Sequence, residues 1–191
     1  MTRRYDMSRR SAQAVRTRES IISATEKLLR STRIEEVSLQ AIAEEAGTTM
    51  QTVLRHMESR DGCFVAVSEV VAARVEKQRG RSAYDSRDEA VADLVAHYEA
   101  EGRLMLNLLA QERKEDAFIT AMLRKGRTYH REWVQRCLIS QQGRRSVTDI
   151  DALVLATDIY AWKLLRLDLG RSARSVVAVM SRVVNSILEA E

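Results

Sequence analysis

The stretch EEAGTTMQTVLRHMESRDG, residues 44–62, places polar side chains directly after a single glycine. Glutamine can hydrogen-bond bidentately to adenine and arginine to guanine, and the threonine methyl group can contact the methyl group of thymine. This chemistry requires the side chains to share one outward face of a short helix that fits the major groove of DNA. The residues that would form such a face are Thr49, Gln51, Thr52 and Arg55.

Two helices are predicted before this face. Apolar residues recur at helical spacing over residues 16–31, and charged residues occupy the positions between them. Ser38 is placed to cap a second helix over residues 39–46. Gly47 then ends that helix in the left-handed conformation, which glycine adopts without steric cost.

A third helix must follow the glycine almost at once. Thr49 can cap a helix over residues 50–56, whose inner face would carry Val53 and Met57. A fourth helix is predicted over about 60–79. Two short helices joined by a glycine-containing turn form a helix-turn-helix, although an ordinary helical hairpin with a polar surface has the same spacing.

The excess positive charge of the chain lies at its N-terminus. Residues 1–18 carry six arginines against one acid, whereas residues 61–191 carry 20 basic and 19 acidic residues. A basic segment joined to a nearly neutral body is typical of contact with phosphates, and a solvated tail has the same composition. We predict a basic, disordered arm over residues 1–15.

The spacing from the first helix to SLQAIAEEAG, together with Thr52, His56 and the SRD that opens the fourth helix, is specific. With these features, residues 16–67 resemble the DNA-binding domain of TetR-family transcriptional regulators. The segment ATDIYAWKLLRLDLGRS also resembles the C-terminal region of that family. The resemblance implies a sequence-specific transcriptional regulator, a ligand-responsive repressor that binds a palindromic operator as a homodimer.

The resemblance also implies roles for individual residues around a recognition helix at about 49–56. Gln51 and Thr52 are predicted to read base edges, and Arg55 to read guanine or contact a phosphate. Gln40 on the preceding helix would reach the edge of the groove. The residues predicted to position the DNA backbone are Ser38, Thr49, His56 and Arg60, joined by Arg16 and Arg18 at the start of the first helix.

Some positions depart from the family pattern. Arg33 stands where the family usually has a glycine, which predicts a different or strained turn. Leu54 replaces a tyrosine whose hydroxyl commonly bonds a phosphate in the family. These two departures support an alternative, a helical protein–protein interaction module that has lost DNA binding.

The whole chain is predicted to be all-α. Its 191 residues contain no proline and only seven glycines. The fold class is an N-terminal three-helix helix-turn-helix domain over residues 16–62, plus a helical ligand-binding and dimerisation domain over 63–191. Within the chain after the fourth helix, residues 80–87, GRSAYDSR, are the best candidate for a domain boundary, because small and turn-prone residues are concentrated there. Further helices are predicted near 88–101, 103–113, 115–140, 148–168 and 173–189.

The last two predicted helices carry apolar faces broader than packing within one small domain requires, and intramolecular packing alone is the alternative. The resemblance to the TetR family implies that these helices pair with their copies from a second subunit in a four-helix bundle. The residues predicted at that dimer interface are Leu153, Ala156, Tyr160, Leu164, Leu167, Val176, Val179, Met180, Val183 and Ile187.

A regulator of this type usually carries a pocket for a small-molecule inducer in its C-terminal domain. Aromatic, methionine and a few polar side chains suit a small apolar ligand, although residues at helical spacing more often form a core. The residues predicted to line the pocket are Tyr98, Glu101, Met105, Met122, Tyr129, Trp133 and Trp162.

No enzyme motif is found in the sequence, so no catalytic residue, metal or cofactor is predicted. The remaining alternative is a small all-α enzyme or metal-dependent sensor that uses His97, Glu101 and His130. His97 and Glu101 are four residues apart, which predicts an ordinary pair on a helix surface. The absence of a long apolar run and of a secretory leader predicts a cytoplasmic protein without membrane contact.

Overall fold

A computed structural model describes residues 2–81, 84–112, 117–139 and 145–190, with only the backbone described for 2–8 and 117–118. The described residues contain helices and no β-strand, which confirms the all-α prediction. The helices are α1 Thr2–Ser31, α2 Leu39–Glu45, α3 Met50–Met57, α4 Arg60–Arg79, α5 Arg87–Leu109, α6 Ala117–Val134, α7 Val147–Ala156, α8 Ile159–Lys163 and α9 Ala173–Glu189. A 3₁₀ turn covers Ile34–Glu36, and π-helical turns Gln135–Ile139 and Leu164–Asp168 extend α6 and α8.

The chain forms two compact units, Met1–Ala73 and Arg74–Glu191. The division lies within α4, whereas the sequence predicted one domain boundary after residue 62 and another at residues 80–87. Of that segment, residues 82 and 83 lie outside the described part of the chain. The two domain boundaries therefore remain a prediction.

In the first unit, α1, α2 and α3 pack against one another. Each contributes a side chain that is removed from solvent: Ile21 from α1, Ile42 from α2 and Val53 from α3. Three helices are the smallest set that can close such a core, because each helix buries only one apolar stripe.

Helix α1 begins at Thr2, so the segment predicted to be a disordered arm continues the helix instead. The segment contains no glycine or proline. Extending an existing helix avoids the nucleation cost that makes isolated short helices unstable. Arg16 and Arg18 consequently lie in the middle of α1 and not at its start.

The connection after α1 does not contain the strain predicted for Arg33. Its backbone has φ −64° and ψ 140°, which any residue can adopt. The chain turns through the 3₁₀ segment that follows, where Ile34 and Val37 enter the core. Arg33 is therefore accommodated without strain, in a turn that does not need the glycine usual in the family.

In the second unit, α5 packs against both α8 and α9, and α7 packs against α6 and α9. Its core contains residues from each of these helices, among them Leu94, Trp133, Leu153, Trp162 and Met180. The helices of this unit thus bury their apolar stripes against one another within a single chain.

Two helix boundaries in this unit differ from the prediction. Helix α5 runs unbroken through Gly102. A Cβ at that position would lie 2.6 Å from the Trp162 ring, which explains why the residue is a glycine. The glycine admits the indole and does not end the helix. The predicted helix 148–168 breaks at Asp158, whose carboxylate accepts a hydrogen bond of 2.9 Å from Tyr160 N and caps α8.

We expect Gly47→Ala to lower the free energy of unfolding by ~1–2 kcal/mol, the cost of a Cβ in the left-handed conformation. Gly47 has φ +64°, and no atom lies within 4 Å of the position that its Cβ would take. Backbone strain is then the whole effect. Denaturant unfolding followed by circular dichroism measures it.

Gly126→Ala is the matched control for that substitution. Gly126 lies inside α6, also with no atom within 4 Å of an added Cβ, and its φ is not positive. We expect this alanine to stabilise the protein by ~0.5–1 kcal/mol. Equal effects of the two alanines would contradict the assigned role of Gly47.

Candidate nucleic-acid interface

The turn between α2 and α3 is fixed by hydrogen bonds that the sequence encodes locally. Ser38 Oγ accepts from Ala41 N at 3.1 Å and caps α2. At the other end, Gly47 N donates to Glu44 O at 3.1 Å, and Thr48 N to Ala43 O at 2.9 Å. This pair of bonds is a Schellman motif, which requires the left-handed residue at Gly47.

Helix α3 starts two residues after that turn and has one buried and one exposed face. Thr49 Oγ1 accepts from Thr52 N at 3.2 Å and caps the helix, as predicted. Val53 and Met57 are 0% and 5% exposed. Gln51 and Arg55 lie on the exposed face, and their side chains make no hydrogen bond to any other described residue.

Other predicted DNA contacts already have intramolecular partners. The hydroxyls of Thr49 and Thr52 are 3.0 Å apart, so they hydrogen-bond to each other, and Thr52 is half-buried. Gln40 Nε2 donates to Glu44 Oε1 at 2.7 Å on the exposed surface of α2. Such exposed bonds exchange with water or phosphate at small cost, since both partners remain solvated when separated.

The predicted backbone contacts are distributed over four helices of the first unit. Ser38 lies at the N-terminus of α2, where free N–H groups favour an anion. Arg60 opens α4, with its guanidinium carbon 5.1 Å from the Phe64 ring centroid. Arg16 donates to Gln13 Oε1 at 2.9 Å, and Arg18 is exposed. His56 is half-buried near the end of α3.

The structure adds an apolar pair to the exposed face of α3. Met50 and Leu54 are 45% and 38% exposed and lie one helical turn apart. The signal in the sequence is their i, i+4 spacing, offset from the buried Val53 and Met57. Apolar side chains at such positions can contact the methyl groups of thymines in the major groove.

The predicted pocket residues lie in the second unit. Tyr98, Trp133 and Trp162 belong to its core; the Tyr98 and Trp162 rings are 5.9 Å apart, and the Tyr98 hydroxyl donates to Thr157 O at 3.0 Å. Of the remaining predicted residues, Glu101 is buried, and Met105, Met122 and Tyr129 are half-buried. A ligand pocket lined by these residues remains a prediction.

The predicted pair of His97 and Glu101 on a helix surface is wrong, because both residues are buried, at 1% and 5% exposure. Glu101 Oε1 is 3.1 Å from Arg74 Nε. Burial, and then the neighbouring Arg79 on α4 and His130 on α6, lower the pKa of His97, so this pair lies on a face of α5 that is turned toward other helices. Within the described residues, no three histidine, cysteine, aspartate or glutamate side chains are arranged to hold a metal ion.

The predicted dimer residues divide into two sets. Leu153, Val176 and Met180 are at most 1% exposed within their own chain, so they cannot contact a second copy directly. Leu167, Ala156 and Ile187 are half-buried. The residues of the predicted set that remain exposed are Tyr160, Leu164, Val179 and Val183, at 55%, 52%, 43% and 42%. We call these four residues the exposed apolar face.

No helix among the described residues has both the length and the apolar content needed to cross a membrane. No curated protein sequence matches the chain. A family model described as bacterial regulatory proteins of the TetR family matches residues 21–67, from α1 through the helix-turn-helix into α4. Residues 21–67 therefore form a DNA-binding domain of the TetR type, which supports a DNA-binding transcriptional regulator.

Proposed function

We propose that the protein is a ligand-responsive repressor that binds a palindromic operator as a homodimer. The observation that carries this proposal is the exposed face of α3, where the side chains of Gln51 and Arg55 make no hydrogen bond to another described residue. A helix held by Val53 and Met57 presents these side chains without further rearrangement. In a helix-turn-helix, this is the face that reads base edges.

The dimer is supported by the exposed apolar face on α8, the π-helical turn after it and α9. Large apolar side chains that stay exposed within their own chain are candidates for an interaction site. A two-fold dimer presents two copies of α3 about one turn of DNA apart, ~34 Å, so each operator half-site repeats in inverted orientation.

The ligand response is proposed to act through two states of the dimer that differ in the separation of their α3 helices. A ligand releases the operator only if it binds the DNA-incompetent state more tightly. The second unit, with its buried aromatic and charged residues, is the proposed ligand-binding part. The second unit would then bind the ligand, and the first unit would bind the DNA.

Selection of bound fragments from random DNA tests this function. We expect a recovered palindrome, and a log–log slope of affinity against salt of about −5 to −7 if three or four arginines of each subunit neutralise phosphates.

A second candidate, a protein-interaction module, is favoured by the exposed Met50 and Leu54. For that candidate, no motif is recovered and any DNA binding is weak and unselective.

We expect Leu54→Tyr to strengthen operator binding. The side chain at this position is 38% exposed on α3, so a tyrosine hydroxyl would extend past the helix toward a phosphate. A hydrogen bond to a charged group contributes ~1.5–3 kcal/mol. Fluorescence anisotropy with the selected operator measures the gain.

Leu54→Phe is the control for that substitution, because it adds the ring without the hydroxyl. We expect its affinity to stay near that of the wild type. If phenylalanine and tyrosine act alike, the gain comes from apolar contact with the DNA and not from a phosphate hydrogen bond.

A further inference from the structure

The second unit contains an arginine whose positive charge is buried without a carboxylate partner. Arg79 is 3% exposed, and no carboxylate of the described residues lies within ion-pair distance of it. Its guanidinium carbon lies 4.7 Å from the Trp133 ring centroid and 5.6 Å from that of Tyr129. Its Nε is buried and has no hydrogen-bond partner. Burial lowers the pKa of this guanidinium, which still remains charged at neutral pH.

Among the described residues, the side chain of Arg79 hydrogen-bonds to a neutral histidine. Thr157 Oγ1 donates to Leu153 O at 2.6 Å, so its oxygen accepts from His130 Nε2, at 3.1 Å. The His130 proton therefore sits on Nε2, and Nδ1 accepts from Arg79 Nη2, at 3.1 Å. Burial, and then the charge of Arg79, lowers the pKa of His130 to about 3. The network supplies no negative charge.

A second histidine beside this arginine is also neutral. His97 is 1% exposed, and burial followed by the charge of Arg79 lowers its pKa to about 3. Its Nδ1 has no hydrogen-bond partner. The nearby buried acid, Glu101, pairs with Arg74 and so does not balance Arg79.

A buried charge without a counter-ion is destabilising, and contact with aromatic faces offsets only part of that cost. An anion beside the guanidinium would offset that cost. One positive charge among neutral neighbours matches a monoanion, and the adjacent rings of Trp133 and Tyr129 suit an apolar, planar body. Of these two rings, Tyr129 is half-buried and Trp133 is 0% exposed.

We propose that Arg79 binds the carboxylate of a small aromatic or similarly planar carboxylic acid, with the free Nε donating to it and Trp133 and Tyr129 contacting its body. Only the effect of this acid on operator binding rests on the proposed function. Binding of the acid itself is measured without DNA.

Thermal unfolding of the full-length chain with benzoate, at constant ionic strength, tests the proposal. At ten times its dissociation constant, we expect benzoate to raise the melting temperature by about 3–6 °C. Benzamide has the same shape without the charge and should cause no shift. Equal shifts with both compounds, or no shift with benzoate, would overturn the proposal.

Arg79→Met separates a ligand-binding role from a structural one. Methionine fills similar space without charge, so we expect the variant without ligand to melt at or above the wild-type temperature and to lose the benzoate shift. Arg103→Met removes an exposed arginine of the same unit and should keep that shift. A benzoate shift retained by Arg79→Met, or a variant that melts far lower, would assign Arg79 to structure alone.

The DNA readout is independent of these measurements. We expect benzoate to weaken operator binding by the wild type and not by Arg79→Met. If benzoate binds but operator affinity does not change, the anion site stands and the ligand-responsive function is contradicted. If the protein binds the operator but benzoate does not change its melting temperature, the anion site is contradicted and the DNA-binding function stands.

Discussion

The double variant Val179→Glu/Val183→Glu is expected to be a folded monomer that binds the operator ~100-fold to 10,000-fold more weakly than the wild type. Both side chains are more than 40% exposed on α9, so glutamate is solvated there in the single chain. In a dimer, the same positions would bury four carboxylates without partners. Loss of the dimer removes the effective concentration that joins two half-site contacts.

Sedimentation measures the oligomeric state of this variant, and anisotropy measures its operator affinity. Ala178→Glu is the matched control, because Ala178 is exposed on the same helix but rotated by about 100° from Val179. We expect this control to remain dimeric with wild-type affinity. A double variant that is still dimeric would place the interface on another surface.

Gln51→Ala is expected to weaken operator binding by ~2–6 kcal/mol, because each subunit of the dimer loses a base contact of ~1–3 kcal/mol. Gln51 is exposed, so alanine should leave the stability of α3 unchanged. Affinity for random DNA should be unaffected, and selection with the variant should lose its preference at one position of each half-site. Equal losses on operator and random DNA would remove Gln51 from the set of base-reading residues.

Arg60→Ala provides the contrast to that result. Arg60 lies at the start of α4 against Phe64, where it is predicted to contact a phosphate. We expect a uniform loss of affinity across DNA sequences and a salt slope that falls by about one per subunit. Together, the two variants separate base reading from backbone positioning within a single domain.

The helix-turn-helix could be predicted from the sequence because its determinants act locally. Ser38, Gly47 and Thr49 each form their capping or turn bonds within five residues along the chain. The outward position of Gln51 follows from the buried Val53 by helical geometry alone. The continuation of α1 to Thr2 was missed, because the segment carries no apolar stripe and helix propensity alone is a weak signal.

Tertiary packing decided what helical periodicity leaves open. A core stripe and an interface stripe have the same spacing, so only the packing of α5, α7 and α9 shows that Leu153 and Met180 are buried while Val179 is exposed. The sequence by itself determined the caps, the turn and the polar face of α3, whose bonds join near neighbours in the chain. The buried, unbalanced charge of Arg79 depends on Tyr129, His130 and Trp133, which are 50 or more positions away, so no local pattern could reveal it.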